Sequence, residues 1–428
     1  MALPSFPWLN RYRGAWCRGA LARDVSLQGA VDAVTQQLAG AGRADLALVF
    51  AYSGFASDLP RLLPLLSQKL QADHWLGCCG GGVVGMSRQE AHELEGEAAL
   101  SVLLLRLPDA ILQPFAIDTT ALPDLDGPAE AWRAALGLEA TPTPETTDPA
   151  SMLLLVDPTC PAINDLISGL DYALPHTGKV GGIAGQHSAP HGSLLYSGGG
   201  GGGGAEASVR TGAVGCLISG AWRLDPLVAQ GCRPIGPVFE VEQAQRNVVI
   251  QVSRGGDSPR SPVEALQRIL GELTPLEREQ VKHSLFLGVD RSEVLLSSDG
   301  PPPAAFLVRN LIGVDPRNGA VAVAERMRIG QRVQFQLRDA EASRQDARLL
   351  LRRQALATPQ PLAGLLFACL GRGEGLYGEA DGDVKLCREV FATVPIAGVF
   401  CNGEIGPVGA ATHLHGYTAC WAFLIPND

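Results

Sequence analysis

Long apolar runs are missing from this chain. The most continuous one, Ala98–Leu107, is broken by Ser101 and Arg106 and is about half the roughly 20 residues a membrane-spanning helix needs. Clustered positive charge is missing as well: 34 Lys and Arg stand against 44 Asp and Glu, a formal charge of -10, and the cations are scattered. Nucleic-acid binding takes its affinity from cations gathered against phosphates, so no nucleic-acid role is expected. Cysteine is too thin for a disulfide scaffold, with 10 residues in 428 and no C-x-x-C pair. Such thiols read as small buried hydrophobes of a reducing compartment, which implies the cytoplasm. Met1–Asp24 lacks the apolar core of a signal peptide, with organelle targeting as the lesser alternative for this basic opening. No G-x-G-x-x-G opens a helix, which disfavours a dinucleotide fold, and no cofactor is implied.

What is present is glycine, 51 residues where about 7% usage would give roughly 30. Hydrophobic residues at 46% and charged residues at 18% are a globular composition, and the length predicts two domains. One unit recurs along the chain. Leu46–Phe50 reads as a buried strand, and Leu59, Leu62, Leu63, Leu66 and Leu70 mark one face of a helix in which Pro64 sits awkwardly. Gly77 follows seven residues after the last of these. Leu153–Val156, then Ile163, Leu166, Ile167, Leu170 and Leu174, then Gly181, repeat the same order and spacing. Leu365–Ala368, then Val384, Cys387 and Phe391, then Gly398, form a looser third copy.

The fold class predicted is therefore α/β (α+β), with mixed sheets, flanking helices and repeated strand–helix–strand units in two modules. The predicted division is an N-terminal segment 1–29, one module over 30–230 and a second over 231–428. Between the second and third copies, Pro262–Leu270 and Pro275–His283 read as short helices, and Phe306–Leu311 and the alternating Val333, Phe335, Leu337 as strands. Asp339–Gln354 reads as a charged helix. Gly198–Gly204 is low-complexity and reads as a loop.

Glycine after a buried strand permits close approach of a ligand or of another backbone, and both readings stand here. The ligand reading brings the turns Gly77–Gly82, Gly181–Gly185 and Gly403–Gly409 together around a pseudo-symmetry axis, with Gly80, Gly81, Gly181 and Gly182 against the ligand. Cys401-Asn402-Gly403-Glu404, with His413 and His415 behind, is the densest set of reactive side chains. A pocket wall in which Asn402 and Glu404 hydrogen-bond a ligand competes with a thiolate enzyme using Cys401 with His413 or His415. His187 and His191 lie in a loop without a metal-site pattern. Arg309-Asn310 ends an apolar run, where the guanidinium can fork onto a ligand carboxylate or pair with Asp315, Asp339 or Glu404.

These segments resemble the FIST family (F-box and intracellular signal transduction proteins). The amino-terminal module is echoed by Ala47–Phe50, Leu76–Gly85 and Ala99–Val102. The carboxy-terminal module is echoed by Phe306–Asn310, Val333–Asp339, Phe400–Pro407 and His415–Ala419. The resemblance implies a stand-alone sensory protein, not an enzyme. It would bind a small molecule, an amino acid being the usual proposal, and signal to a partner that the sequence does not name.

Overall fold

The computed structural model describes residues 14–138, 150–198, 208–291, 306–358 and 360–427. Of the glycine run expected to form a loop, only Gly198 falls among them. The chain forms two compact units. The first holds residues up to 229, 347–414 and 418 onward, and the second holds 230–346 with 415–417.

In the first unit the repeated pattern becomes three parallel strand–helix–strand motifs. Their central strands are Ala44–Tyr52, Ser151–Val156 and Ala363–Cys369. Helices Leu59–Ser67, Ile163–Ala173 and Gly382–Val390 cross over to the parallel strands Ala72–Gly80, Gly178–Ile183 and Ile396–Cys401. Each central strand also pairs antiparallel with a return strand: Ala99–Arg106, Ala213–Gly220 or Thr418–Pro426. Pro64 does not delay the first of these helices, which starts at Leu59 with Pro60 in its first turn. There proline costs nothing, because the first amides of a helix have no internal partner.

Three six-stranded sheets result, and each is completed by a hairpin from another copy. The first sheet receives Leu194–Gly198 and Ser208–Arg210 from the second copy. The second receives Glu404–Val408 and Ala411–His415 from the third copy. The third receives Gly82–Ser87 and Glu90–Glu95 from the first copy. The donation is cyclic. Inward faces share one core that includes Leu48, Phe50, Leu153, Leu155, Leu365 and Phe367. Outward faces bury Val49 under Leu62 and Leu66, Leu154 under Leu166 and Leu170, and Leu366 under Val384 and Cys387. A fully buried Leu or Phe contributes about 1.5–3 kcal/mol, so the i, i+3, i+4 stripe visible in the sequence is what clamps each helix to its sheet.

Gly77 and Gly181 are not in turns, as the sequence suggested, but sit with Gly398 inside the second parallel strands. They face Val49, Leu154 and Leu366 at the same register in all three copies. A Cβ on them would stand 1.8, 1.8 and 2.0 Å from the carbonyl oxygens of those residues. Close strand approach is thus what this glycine serves.

The second unit is a seven-stranded antiparallel sheet that closes on itself. Phe239–Gln245, Val248–Ser253, Val321–Val323, Phe306–Val314, Leu285–Asp290 and Arg332–Arg338 pair in a ring, the last returning to the first. Val241, Val249, Leu287, Val289, Val333, Phe335 and Leu337 fill the core of this barrel. Helices Pro262–Glu272 and Pro275–Ser284 each begin on a capping box, Ser261 with Glu264 and Thr274 with Glu277. Each box satisfies two otherwise orphaned amides, and the proline after it suits the first turn.

Candidate ligand sites

In the first unit the chain changes sheets after each parallel strand, and the three crossings meet. Gly81 N donates to Phe400 O (3.1 Å), Gly185 N to Cys79 O (2.8 Å), and Ile183 N to Gly403 O (2.8 Å). Asn402 donates twice, from N to Ile183 O (3.0 Å) and from Nδ2 to Ala184 O (3.1 Å). Gly181 and Gly182 pair with Ile405 and Glu404. Gly80, Gly81, Gly181, Gly182, Cys401, Asn402, Gly403 and Glu404 are therefore brought together. Neighbouring atoms take the room their glycines leave: a Cβ on Gly182 would lie 2.4 Å from Cys401 Sγ, and one on Gly185 would lie 2.9 Å from Gly80 Cα. Open hollows of about 310, 420 and 780 Å³ lie elsewhere, lined by Asp45 and His74, by Gln360 and Phe391, and by His191 and Arg210. None of these three has a candidate residue in its lining.

Glu404 is fully buried. Its Oε2 accepts from Thr418 Oγ1 (2.7 Å) and N (3.3 Å), while Oε1 has no hydrogen-bond partner. Burial pushes the carboxyl up from 4.5 to about 8, outweighing the lowering by Thr418 and by the nearby Arg372 guanidinium. The folded protein thus holds this proton more tightly than the unfolded chain. Stability from Glu404 is full below pH 4.5 and is lost as pH rises through about 8. Glu404→Gln keeps the shape and cannot ionise. In urea denaturation from pH 5 to 8.5, its advantage over wild type should grow with pH by on the order of 4 kcal/mol. A constant difference across that range would refute a neutral Glu404.

Beside it lies a second buried polar group that the sequence reading missed. Arg372 forks onto Asp383 (Nε–Oδ2 and Nη2–Oδ1, both 2.7 Å), and Tyr377 OH donates to Asp383 Oδ1 (2.9 Å). Glu93, from the donated hairpin, accepts from Val384 N (2.6 Å) and has an unpartnered Oε2; burial and the Asp383 charge raise its carboxyl well above the usual range. Each of these residues lies in a polar stretch, and no periodicity marks one polar residue there as the buried one.

Cys401 is buried, its thiol donating to Val399 O (3.6 Å). Burial first, then Cys78 and Glu404, hold it far above the ordinary thiol value, opposite to what a thiolate nucleophile needs. His187 and His191 pack ring against tilted ring at 5.2 Å and tie down their own loop, Ala189 N donating to His187 Nδ1 (3.2 Å) and His191 Nδ1 meeting Gly192 O (2.9 Å). Among the described residues, no group of three or more His, Cys, Asp or Glu is arranged to hold a metal.

Arg309, Asn310 and His415 belong to the second unit. Arg309 pairs with Glu325 (Nε–Oε2 2.6 Å), a carboxylate outside the three expected, and Glu325 also takes Arg291. Asn310 Oδ1 accepts from Tyr417 OH (2.7 Å). Tyr417 packs tilted against Phe286, ring centroids 4.2 Å apart, lies 5.8 Å from Arg338, and has a left-handed φ of 64°. A left-handed φ is unusual for a bulky residue and marks a backbone held by its surroundings. The sequence pointed to His415 but showed Gly416-Tyr417 only as part of a family echo.

Fold and buried polar centres define a repeat-built α/β protein with a β-barrel unit between its second and third copies. The FIST N domain matches residues 45–253 and the FIST C domain matches 262–407. A protein of Mycobacterium tuberculosis strain H37Rv is 33% identical over 91% of this chain and 93% of its own length. One from Mycobacterium bovis is 36% identical over 64% of this chain and 67% of its own. The chain belongs to the FIST family of sensory, signal-transduction domains. No helix among the described residues is long and apolar enough to cross a membrane.

Proposed function

We propose that this protein is a cytoplasmic sensor that binds an amino acid or similar small metabolite and passes its state to a signalling partner, with modules over 30–230 and 231–428. The observation that carries the reading is Glu404: a buried carboxyl with one oxygen unpaired, placed where the glycine crossings meet. Orphaned buried polar atoms are rare and costly, and they concentrate at functional positions. An ammonium group reaching Oε1 would satisfy that oxygen and lower the carboxyl pKa, so binding near neutral pH would release a proton. Asn402, its amides held by Ile183 O and Ala184 O, and the glycines Gly80, Gly81, Gly181, Gly182 and Gly403 would line the ligand beside it, with Cys401 as wall. In the second unit, Arg309, Asn310 and His415 are the polar contacts.

A calorimetric screen of the 20 amino acids in two buffers of different ionisation enthalpy tests this. The expected result is one or more binders whose heat depends on the buffer and whose affinity drops about tenfold or more in Glu404→Ala. Equal binding by wild type and Glu404→Ala, or no binder at all, would overturn the reading.

A further inference from the structure

We propose that Arg291 and Arg309 form a binding site for a monocarboxylate anion in the barrel unit. The proposal extends the ligand reading to a ligand class, yet rests on groups remote in sequence from Glu404. Arg309 is directly opposite Leu287 and Leu307 opposite Val289, so Leu307, Arg309 and Leu311 share the face that fills the barrel. A guanidinium on that face needs a counter-charge, and Glu325 gives it one: Nε of Arg309 lies 2.6 Å from Oε2. Oε1 of the same carboxylate is taken by Arg291 Nη2. Two cations therefore share one anion, at side-chain exposures of 27% for Arg291 and 16% for both Arg309 and Glu325.

Among the described residues, the surroundings do not balance the charge. Asp290, the residue just before Arg291, pairs with Arg332 (3.3 Å). Arg328 adds a further positive field, which together with burial makes the Arg291 cation harder to hold. Arg309 is lowered to about 10 by burial and by Arg291. Arg291 Nε is buried and has no hydrogen-bond partner. An unsatisfied N–H on a planar fork beside one uncompensated positive charge is what a carboxylate completes, bidentate and singly charged. A phosphate dianion would reverse the imbalance instead of cancelling it. Glu325 then acts as an internal competitor, held on the same forks until a ligand arrives.

Thermal unfolding of the full chain in sodium acetate, against sodium chloride and sodium phosphate at equal ionic strength, tests the site. Acetate at ten times its Kd should raise the folded-to-unfolded ratio about tenfold. Arg291→Gln, at the more exposed fork, should abolish that gain, whereas Glu325→Gln, if it folds, should tighten acetate binding about tenfold. Glu404→Ala should leave the acetate response intact, so loss of the amino-acid reading would not remove this one. Equal acetate stabilisation of wild type and Arg291→Gln would overturn the site. Phosphate acting at lower concentration than acetate would overturn the ligand class.

Discussion

Gly77→Ala and Gly181→Ala are expected to prevent the first unit from folding. The added methyl carbon would stand 1.8 Å from the Val49 or Leu154 carbonyl oxygen, and both obstacles are backbone in the middle of a paired strand. Neither atom can retreat without breaking the parallel ladder that the crossover helix is anchored to, so no local repacking relieves the overlap. Clashes of this kind belong with the overpacking and strain that give the largest single-residue effects, above about 4 kcal/mol. Gly81→Ala is the internal control. Its Cβ would meet the end of Leu370, at 2.1 Å, and that side chain is 46% exposed and can swing away. Urea denaturation of Gly81→Ala should show a loss of about 1 kcal/mol or less. If Gly77→Ala matched it, the close-approach account of the glycines would be wrong.

Arg372→Met is expected to cost about 3–5 kcal/mol, because it leaves Asp383 charged, buried and unpaired. The two side chains are 1% and 0% exposed and joined by two hydrogen bonds, and Tyr377 adds a third to the same carboxylate. Taking charges out of water is expensive, so the pair as a whole adds little net stability, while either half alone is a heavy penalty. Arg372→Met with Asp383→Leu should therefore recover most of the loss. Equal destabilisation in the single and double variants, measured by urea titration, would show that Arg372 acts through packing and not through its charge.

Much of the first unit was legible in the sequence because its signals are local and repeated. Leucine spacing at Leu59–Leu66 and Leu166–Leu170 locates the helices, and the seven-residue offset to Gly77, Gly181 and Gly398 locates the three equivalent strands. Placing Gly77 and Gly181 in turns failed for a physical reason: a glycine in a strand and one in a turn look alike until the partner strand is known. The donated hairpins were hidden because strand pairing between copies is non-local and leaves no spacing of its own. Barrel closure was hidden likewise, since Arg332–Arg338 pairs with segments about 50 and 90 residues earlier. At the candidate sites, Glu404, Asn402 and Arg309 could be picked out because they interrupt apolar runs. Arg372, Asp383 and Glu325 could not, since each sits among other polar residues where burial is decided by tertiary contacts.

The cyclic donation has a consequence for the order in which the protein is made. The second sheet has its central strand once residue 156 is synthesised, but waits for Glu404–Val408 to cover its far edge. During that interval the ribosome adds roughly 250 residues, on the order of 10–50 seconds of elongation, while Gly178–Ile183 keeps a bare hydrogen-bonding rim. Such a rim invites pairing with any other strand nearby. Newly made chains should need a holding factor throughout this delay, and a ribosome-stalled fragment ending before residue 400 should aggregate where the finished protein does not.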